Sequence, residues 1–245
     1  MKVAMQTSRF CNLLSICGCE KEEEWMGYRH RWTDGEALDL PNGKVVCVGR
    51  NYVGHVKEFD SPLPTEPLLF VKPDTTLVDM QQPVVIPTDK GAVHHEVELA
   101  MLIGETLTHV SKERVESAIV GVGLALDLTL RDIQARLKSA GHPWEKSKAF
   151  DGSCPLSGFL PMGQLTSLSS IEFSLVVNGE QRQSANSADM IFDALTLIAH
   201  ISEFFTLRPG DLVLTGTPAG VGSLKPGDRF SCSIGELLQV DSVVV

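Results

Sequence analysis

EVELAMLIG (96–104) and GVGLALDLT (121–129) decide the fold. Each is a continuous apolar run too short for a buried helix, and each carries acidic residues at one end. Such runs read as strands covered on both faces. KVVCVG (44–49), LLFVK (68–72), VVIP (84–87), DLVLTG (211–216), RFSCSI (229–234) and LLQVDSVVV (237–245) read the same way, fenced by glycine and proline. In IEFSLVVNGEQRQS (171–184), Phe173, Leu175 and Val177 alternate ahead of Asn178-Gly179, a hairpin signature. Pro-Gly in LRPGD (207–211) and LKPGD (224–228) predicts two further turns.

Helices are few. NYVGHVKEF (51–59) reads as a short one, weakened by Gly54. Ser111 is expected to cap a second through Ala118. Thr129 with Asp132 resembles a capping box for a third, running to Ser139 and stopped by Gly141 and Pro143. Ile191, Ala194, Ile198, Ile201 and Phe205 recur at helical spacing, with Ser187 or Asp189 near the start. There is no regular βαβ alternation. The class predicted is α+β, with a mixed sheet folded on itself.

The chain has 245 residues, 43% hydrophobic and 21% charged, which suits one large domain with an appendage. Residues 1–24 read as an N-terminal extension: Lys2 and Arg9 precede an apolar patch, as in a leader, but polar residues break it. A disordered extension or an upstream start codon is the expectation. Residues 25–43 read as a short ribbon packing on the main domain, 44–245. The net charge of −10 and the lack of a dense Lys/Arg cluster argue against nucleic acid as a partner. No apolar run approaches the roughly 20 residues of a membrane span. The six cysteines match no zinc spacing and read as reduced thiols of a cytoplasmic protein.

In a strand, Glu96 and Glu98 share a face, roughly 6.5–7 Å apart along the chain. Two carboxylates forced together repel, and a bound cation removes the conflict. The plain alternative is a solvated strand edge. Asp127 ends an apolar strand, where an ionised carboxylate needs a partner: a metal, a helix cap or Arg131. Oxygen-only ligands suit Mg²⁺ or Mn²⁺ better than Zn²⁺. His55 and Glu58 sit side by side at i, i+3, which is either a base with its orienting carboxylate or an ordinary surface pair. Lys148 in WEKSKAFD (144–151) is a cation that can receive developing negative charge, or a solvated lysine; Lys72 is similar. LTGTPAGVG (214–222) offers backbone N–H groups to a carboxylate but lacks nucleotide-loop spacing.

Taken in order, VVCVGRNYVGHVKE (45–58), PLLFVKP (67–73), VHHEVELAMLIG (93–104), ALDLTLRDIQ (125–134), PWEKSKAFDGSCPLSGF (143–159), VNGEQRQ (177–183) and VLTGTPAGVG (213–222) resemble the fumarylacetoacetate hydrolase superfamily. The wording is nearest to its acylpyruvate hydrolase and oxaloacetate decarboxylase-tautomerase branch. The resemblance implies a mixed β-sandwich roll, commonly a homodimer. It implies Mg²⁺ or Mn²⁺ on Glu96, Glu98 and Asp127, and a catalytic set of His55, Glu58 and Lys148 with the dyad on a closing lid. It places Arg131, Gln134, Thr217 and, more weakly, Lys72 against a small 2-oxo acid. Because the His55–Glu58 pair is suited to activating water, the expected reaction is hydrolysis of an acylpyruvate. Oxaloacetate decarboxylation or keto–enol tautomerisation follows closely, and a non-catalytic metabolite-binding protein is the third possibility.

Overall fold

The computed structural model describes residues 27–245. The expected 1–24 extension, and Cys11, Cys17 and Cys19, lie outside the described residues. Eight strands form one mixed sheet. Its path runs Leu68–Lys72, Val45–Gly49, Leu212–Leu214, Val97–Ile103, Ile119–Leu126, Cys154–Leu156, Leu77–Asp79, with Leu160–Pro161 pairing beside Ile119–Leu126. Two pairings are parallel, Val45–Gly49 with Leu212–Leu214 and Leu77–Asp79 with Cys154–Leu156. The four strands Glu180–Asn186, Glu172–Val177, Arg229–Ile234 and Leu238–Val243 form a second, antiparallel sheet. Three short strands, Gly222–Leu224, Val93–His95 and Thr129–Leu130, form a third. The α+β class with a mixed sheet is what the sequence predicts.

The continuous apolar runs have a simple cause. Leu99, Met101 and Ile103 point into the larger core, shared with Phe173, Leu175 and Cys232 of the antiparallel sheet. Ala100 and Leu102 point the other way, into a smaller cluster with Val45, Cys47 and Phe159. Both faces of the central strands are buried, so alternation is lost. The smaller cluster is covered in part by the ribbon: Tyr28 is buried in it, and Trp32 and Leu38 pack against it. His30 also joins this cover, its Nε2 lying 3.1 Å from Gly210 O.

Several local expectations change. VVIP (84–87) makes only one parallel bridge, Val84 to Val244, because Pro83 and Pro87 offer no N–H to extend a ladder. Thr129 caps nothing: it lies in a strand and its hydroxyl donates to Asp127 O, while Asp132 accepts from Ala92 N. The helix Arg131–Ser139 begins without a side-chain cap. It ends as predicted, with Gly141 at φ 66 and the N–H groups of Gly141 and His142 donating to Lys138 O and Leu137 O. Ser111 stands at the start of the Lys112–Val115 helix, but its hydroxyl makes no cap bond, and Glu116–Ala118 tightens into a 3₁₀ turn. The true cap of the Ala194–Phe204 helix is Asp193, whose carboxylate accepts from Thr196 N at 3.0 Å. Ser187 and Asp189 form a separate 3₁₀ turn. Asn178 and Gly179 both have positive φ, 52 and 82, the conformation a two-residue hairpin turn demands. Among the described residues, no helix is long and apolar enough to cross a membrane.

Candidate active site

Glu98 lies in the Val97–Ile103 strand, but Glu96 falls between it and the Val93–His95 strand. Asp127 N donates to Glu96 O at 2.8 Å, which continues the register of the Val97–Leu126 pairing by one rung. The two glutamates keep to one face, as predicted: one oxygen each from Glu96, Glu98 and Asp127 lies within 4.8 Å of the others. All three residues are buried, at 4%, 2% and 0% exposure, which removes the solvated-edge alternative.

Their partners differ. Glu96 accepts from Arg131 Nη2 through one oxygen and from Lys148 Nζ, at 2.7 Å, through the other. Burial alone would raise its pKa, but Lys148, Arg131 and His55 together hold it well below the usual carboxylate range. Glu98 accepts only from the Gly216 N–H, at 2.6 Å. Burial first, then the negative charge of Asp127 and Glu96, pushes its pKa well up. Asp127 Oδ2 accepts from Lys148 Nζ, whose own pKa these carboxylates raise against the effect of burial. Arg131, weighed as a partner for Asp127, goes to Glu96 instead.

Asp127 Oδ1 has a different environment. Lys72 Nζ stands 2.9 Å away, close enough to count as an ion pair. Yet Lys72 directs its hydrogens at Lys148 O and at the carbonyl and hydroxyl of Ser153, so Oδ1 receives no hydrogen bond. A buried carboxylate oxygen without a donor, beside a glutamate destabilised by like charge, fits a hard divalent cation.

His55 and Glu58 lie on the Val53–Glu58 helix, with His55 Nδ1 3.3 Å from Glu58 Oε2. Burial lowers the His55 pKa, and the nearby charges of Glu96 and Glu58 only partly offset it. Phe59 packs edge-on against the imidazole, and the Arg131 guanidinium lies 4.9 Å over the Phe59 ring. These contacts draw the helix against a cavity of about 50 Å³.

His55, Glu96, Glu98, Asp127, Arg131, Gln134, Lys148 and Thr217 all line this cavity. Glu58 does not, and acts on it through His55. Lys72, expected at the substrate, is also absent from the wall. It is fully buried behind Asp127 and holds the 148–153 turn, because its ammonium needs more partners than the cavity side provides. The Thr217 hydroxyl donates to Val97 O at 2.9 Å and accepts from Gln183 Nε2 at 2.8 Å, so it positions the loop and has little left for a ligand.

Residue-by-residue reading missed Arg50, Phe59 and Lys138, which also line the cavity. It missed Gln183, which spans His95 Nδ1, Val97 N, Thr217 Oγ1 and Pro218 O. Gln183 carried no legible signal: Val177 pairs with Glu180, so plain alternation past the turn would face Gln183 away from Phe173 and Leu175, and the bulge between Leu175 and Val176 is what pairs it with Leu175 and brings it inward. Asn51 ties the first strand's end to Phe192 and Thr215 in the same manner.

The fold and site together define a domain that presents a buried carboxylate triad, a lysine and a histidine to one pocket. The chain belongs to the fumarylacetoacetate hydrolase family: residues 44–245 match its description "Fumarylacetoacetate (FAA) hydrolase C-terminal". It is 57% identical over 205 residues to an oxaloacetate tautomerase of Escherichia coli, covering 83% of this chain and 94% of the relative. It is 42% identical over 192 residues to a mitochondrial oxaloacetate decarboxylase of Dictyostelium discoideum, covering 78% and 88%. Among solved structures, fumarylpyruvate hydrolase from Pseudomonas aeruginosa in complex with Mn²⁺ and pyruvate aligns with a TM-score of 0.84 at 35% identity, covering 89% of this chain and 96% of that one.

Proposed function

We propose that this protein is an oxaloacetate keto–enol tautomerase. The observation that carries the reading is His55, a base kept neutral by burial, in the same cavity as Glu96, Glu98 and Asp127. Similarity supports tautomerisation over the acylpyruvate hydrolysis expected from the dyad alone: the E. coli tautomerase is 57% identical to this chain and the P. aeruginosa hydrolase 35%.

Glu96, Glu98 and Asp127 would hold a divalent cation, Mg²⁺ or Mn²⁺. When bound, it supplies a Lewis acid that lowers the cost of negative charge on a keto oxygen. The protein's own groups manage the proton. With Nδ1–H donated to Glu58, the imidazole keeps a free lone pair at Nε2. Nε2 takes the proton from the enol O–H. The C2=C3 electron pair then collects that proton at C3, and the C2=O bond forms. Nothing is gained or lost overall, and the imidazole returns to its neutral state. Lys148 offsets charge on the oxygen during the transfer. The Val53–Glu58 helix would shield the largely buried imidazole from bulk water that competes for the proton.

Loss of CO₂ from oxaloacetate likewise puts negative charge on the C2 oxygen, as the enolate of pyruvate, so decarboxylation is the second reading, favoured by the D. discoideum relative. A stopped-flow assay on the Mg²⁺- or Mn²⁺-loaded protein separates the possibilities by following enol absorbance, CO₂ and acetylpyruvate cleavage together. Tautomerisation is expected to be the fastest by kcat/KM. A higher kcat/KM for acetylpyruvate would reinstate the hydrolase.

A further inference from the structure

We propose that Arg50 and Lys138 form a subsite for the distal carboxylate of a four-carbon 2-oxo dicarboxylate. The proposal rests on the 2-oxo acid reading above and extends it from the reacting end of the substrate to the other end.

The observation is an imbalance of charge around one cavity. The three buried carboxylates are met by Arg131, Lys148 and Lys72. Arg50 and Lys138 line the same cavity, and among the described residues neither has a carboxylate within ion-pair distance. The two come from different elements. Arg50 follows the Val45–Gly49 strand, and Lys138 stands in the last turn of the Arg131–Ser139 helix. Burial, then the positive charges of Arg50 and Arg131, push the Lys138 ammonium down from its ordinary value, and Glu96 offsets this only in part. Arg50 also holds a left-handed backbone, φ 62, which a residue with a Cβ adopts rarely and which is concentrated at functional sites.

A carboxylate between the two cations would relieve this repulsion. It would be a bidentate partner for the guanidinium and a point-charge partner for the ammonium. The substrate's 2-oxo acid head would face the triad and its tail would face Arg50 and Lys138. An uncharged acyl tail would leave the pair unmatched, which makes the same subsite a device against such substrates.

The test is binding, read by calorimetry on the Mg²⁺-loaded protein, with oxaloacetate and its 4-methyl ester as probes. The ester keeps the 2-oxo acid head and loses the distal charge. Arg50→Gln and Lys138→Gln are each expected to weaken oxaloacetate by about tenfold and the ester by about twofold or less, as for loss of a charged hydrogen bond. Arg50→Lys should recover part of the loss. Lys138 is exposed, so its variant tests the subsite even if Arg50→Gln folds poorly. Equal weakening of both probes, or none of either, would overturn the proposal. Tautomerase activity is read separately in the stopped-flow trace, so failure of that reaction and failure of the subsite give different results.

Discussion

The Glu58 carboxylate accepts the Gly220 N–H at 3.1 Å, which fastens the Val53–Glu58 helix to the glycine loop of residues 214–222. Its other oxygen meets His55. One side chain therefore both shuts the helix and selects the imidazole tautomer. In Glu58→Gln the amide can still reach Gly220, but the fixed acceptor for Nδ1–H is lost. Turnover is expected to fall by about 10²-fold, the scale of a misdirected general base.

The pH profile gives that prediction a sign. His55 works as a base only when neutral, so activity is lost as pH falls through its pKa. That pKa already lies below the ordinary 6.5 because of burial, with Glu96 and Glu58 pulling it back up. Removing the Glu58 charge removes an upward pull. The acid limb of kcat/KM should move to lower pH in Glu58→Gln, and a limb that moves up would contradict His55 as the base.

Glu98 makes the metal-free protein pH-sensitive in the opposite sense to an ordinary ion-paired carboxylate. Its folded pKa is raised well above the ordinary 4.5, so the folded state holds the proton more tightly than the unfolded chain does. Stability from this group is present below about pH 4.5 and is lost as pH rises through the folded value. Glu98→Gln should therefore raise the melting temperature of the chelated protein at neutral pH. It should also abolish the rise that Mg²⁺ or Mn²⁺ gives the unmodified protein. A variant that still melts higher with the cation would remove Glu98 from the ligand set.

Lys72 separates a structural role from a substrate role. In Lys72→Met the Asp127 charge loses a fully buried partner and the 148–153 turn loses its anchor. Unfolding in urea should show a loss of about 3–5 kcal/mol, as for a broken buried ion pair. A raised KM with unchanged stability would instead return Lys72 to the substrate wall.

Gln183 makes a comparable prediction for the cavity's support. Gln183→Leu removes the acceptor of the buried Val97 N–H and the donor to Thr217 and Pro218. The expected cost is about 2–4 kcal/mol, from several buried groups left without partners. Thermal unfolding measures it.

The sheet was legible because double burial leaves an unmistakable apolar run in Val97–Ile103 and Ile119–Leu126. The hairpin at Asn178-Gly179 was legible because few sequences tolerate two positive φ values. Less could be read where a side chain's partner is distant. Thr129 and Asp132 have capping-box spacing, but Thr129 pairs with His94 in a strand and the Asp132 carboxylate accepts from Ala92 N. Glu96 and Asp127 extend the Val97–Leu126 pairing by one rung, a relation between two strands that spacing within one strand does not contain. The carboxylate cluster and the His55–Glu58 pair were visible as residue types. The resemblance gave them roles before the geometry did. Arg50 and Lys138 escaped because an isolated cation in a sequence carries no mark of having lost its counter-charge.

The position of Leu212–Leu214 has a consequence for synthesis. This strand sits between Val45–Gly49 and Val97–Ile103, both made much earlier. Until it emerges from the ribosome, the growing chain holds two apolar strands whose facing edges have no partner. Open edges of that kind recruit other chains. A late-translated strand is thus the wedge that closes the sheet. A nascent chain halted short of it would carry most of the catalytic side chains and be prone to aggregate.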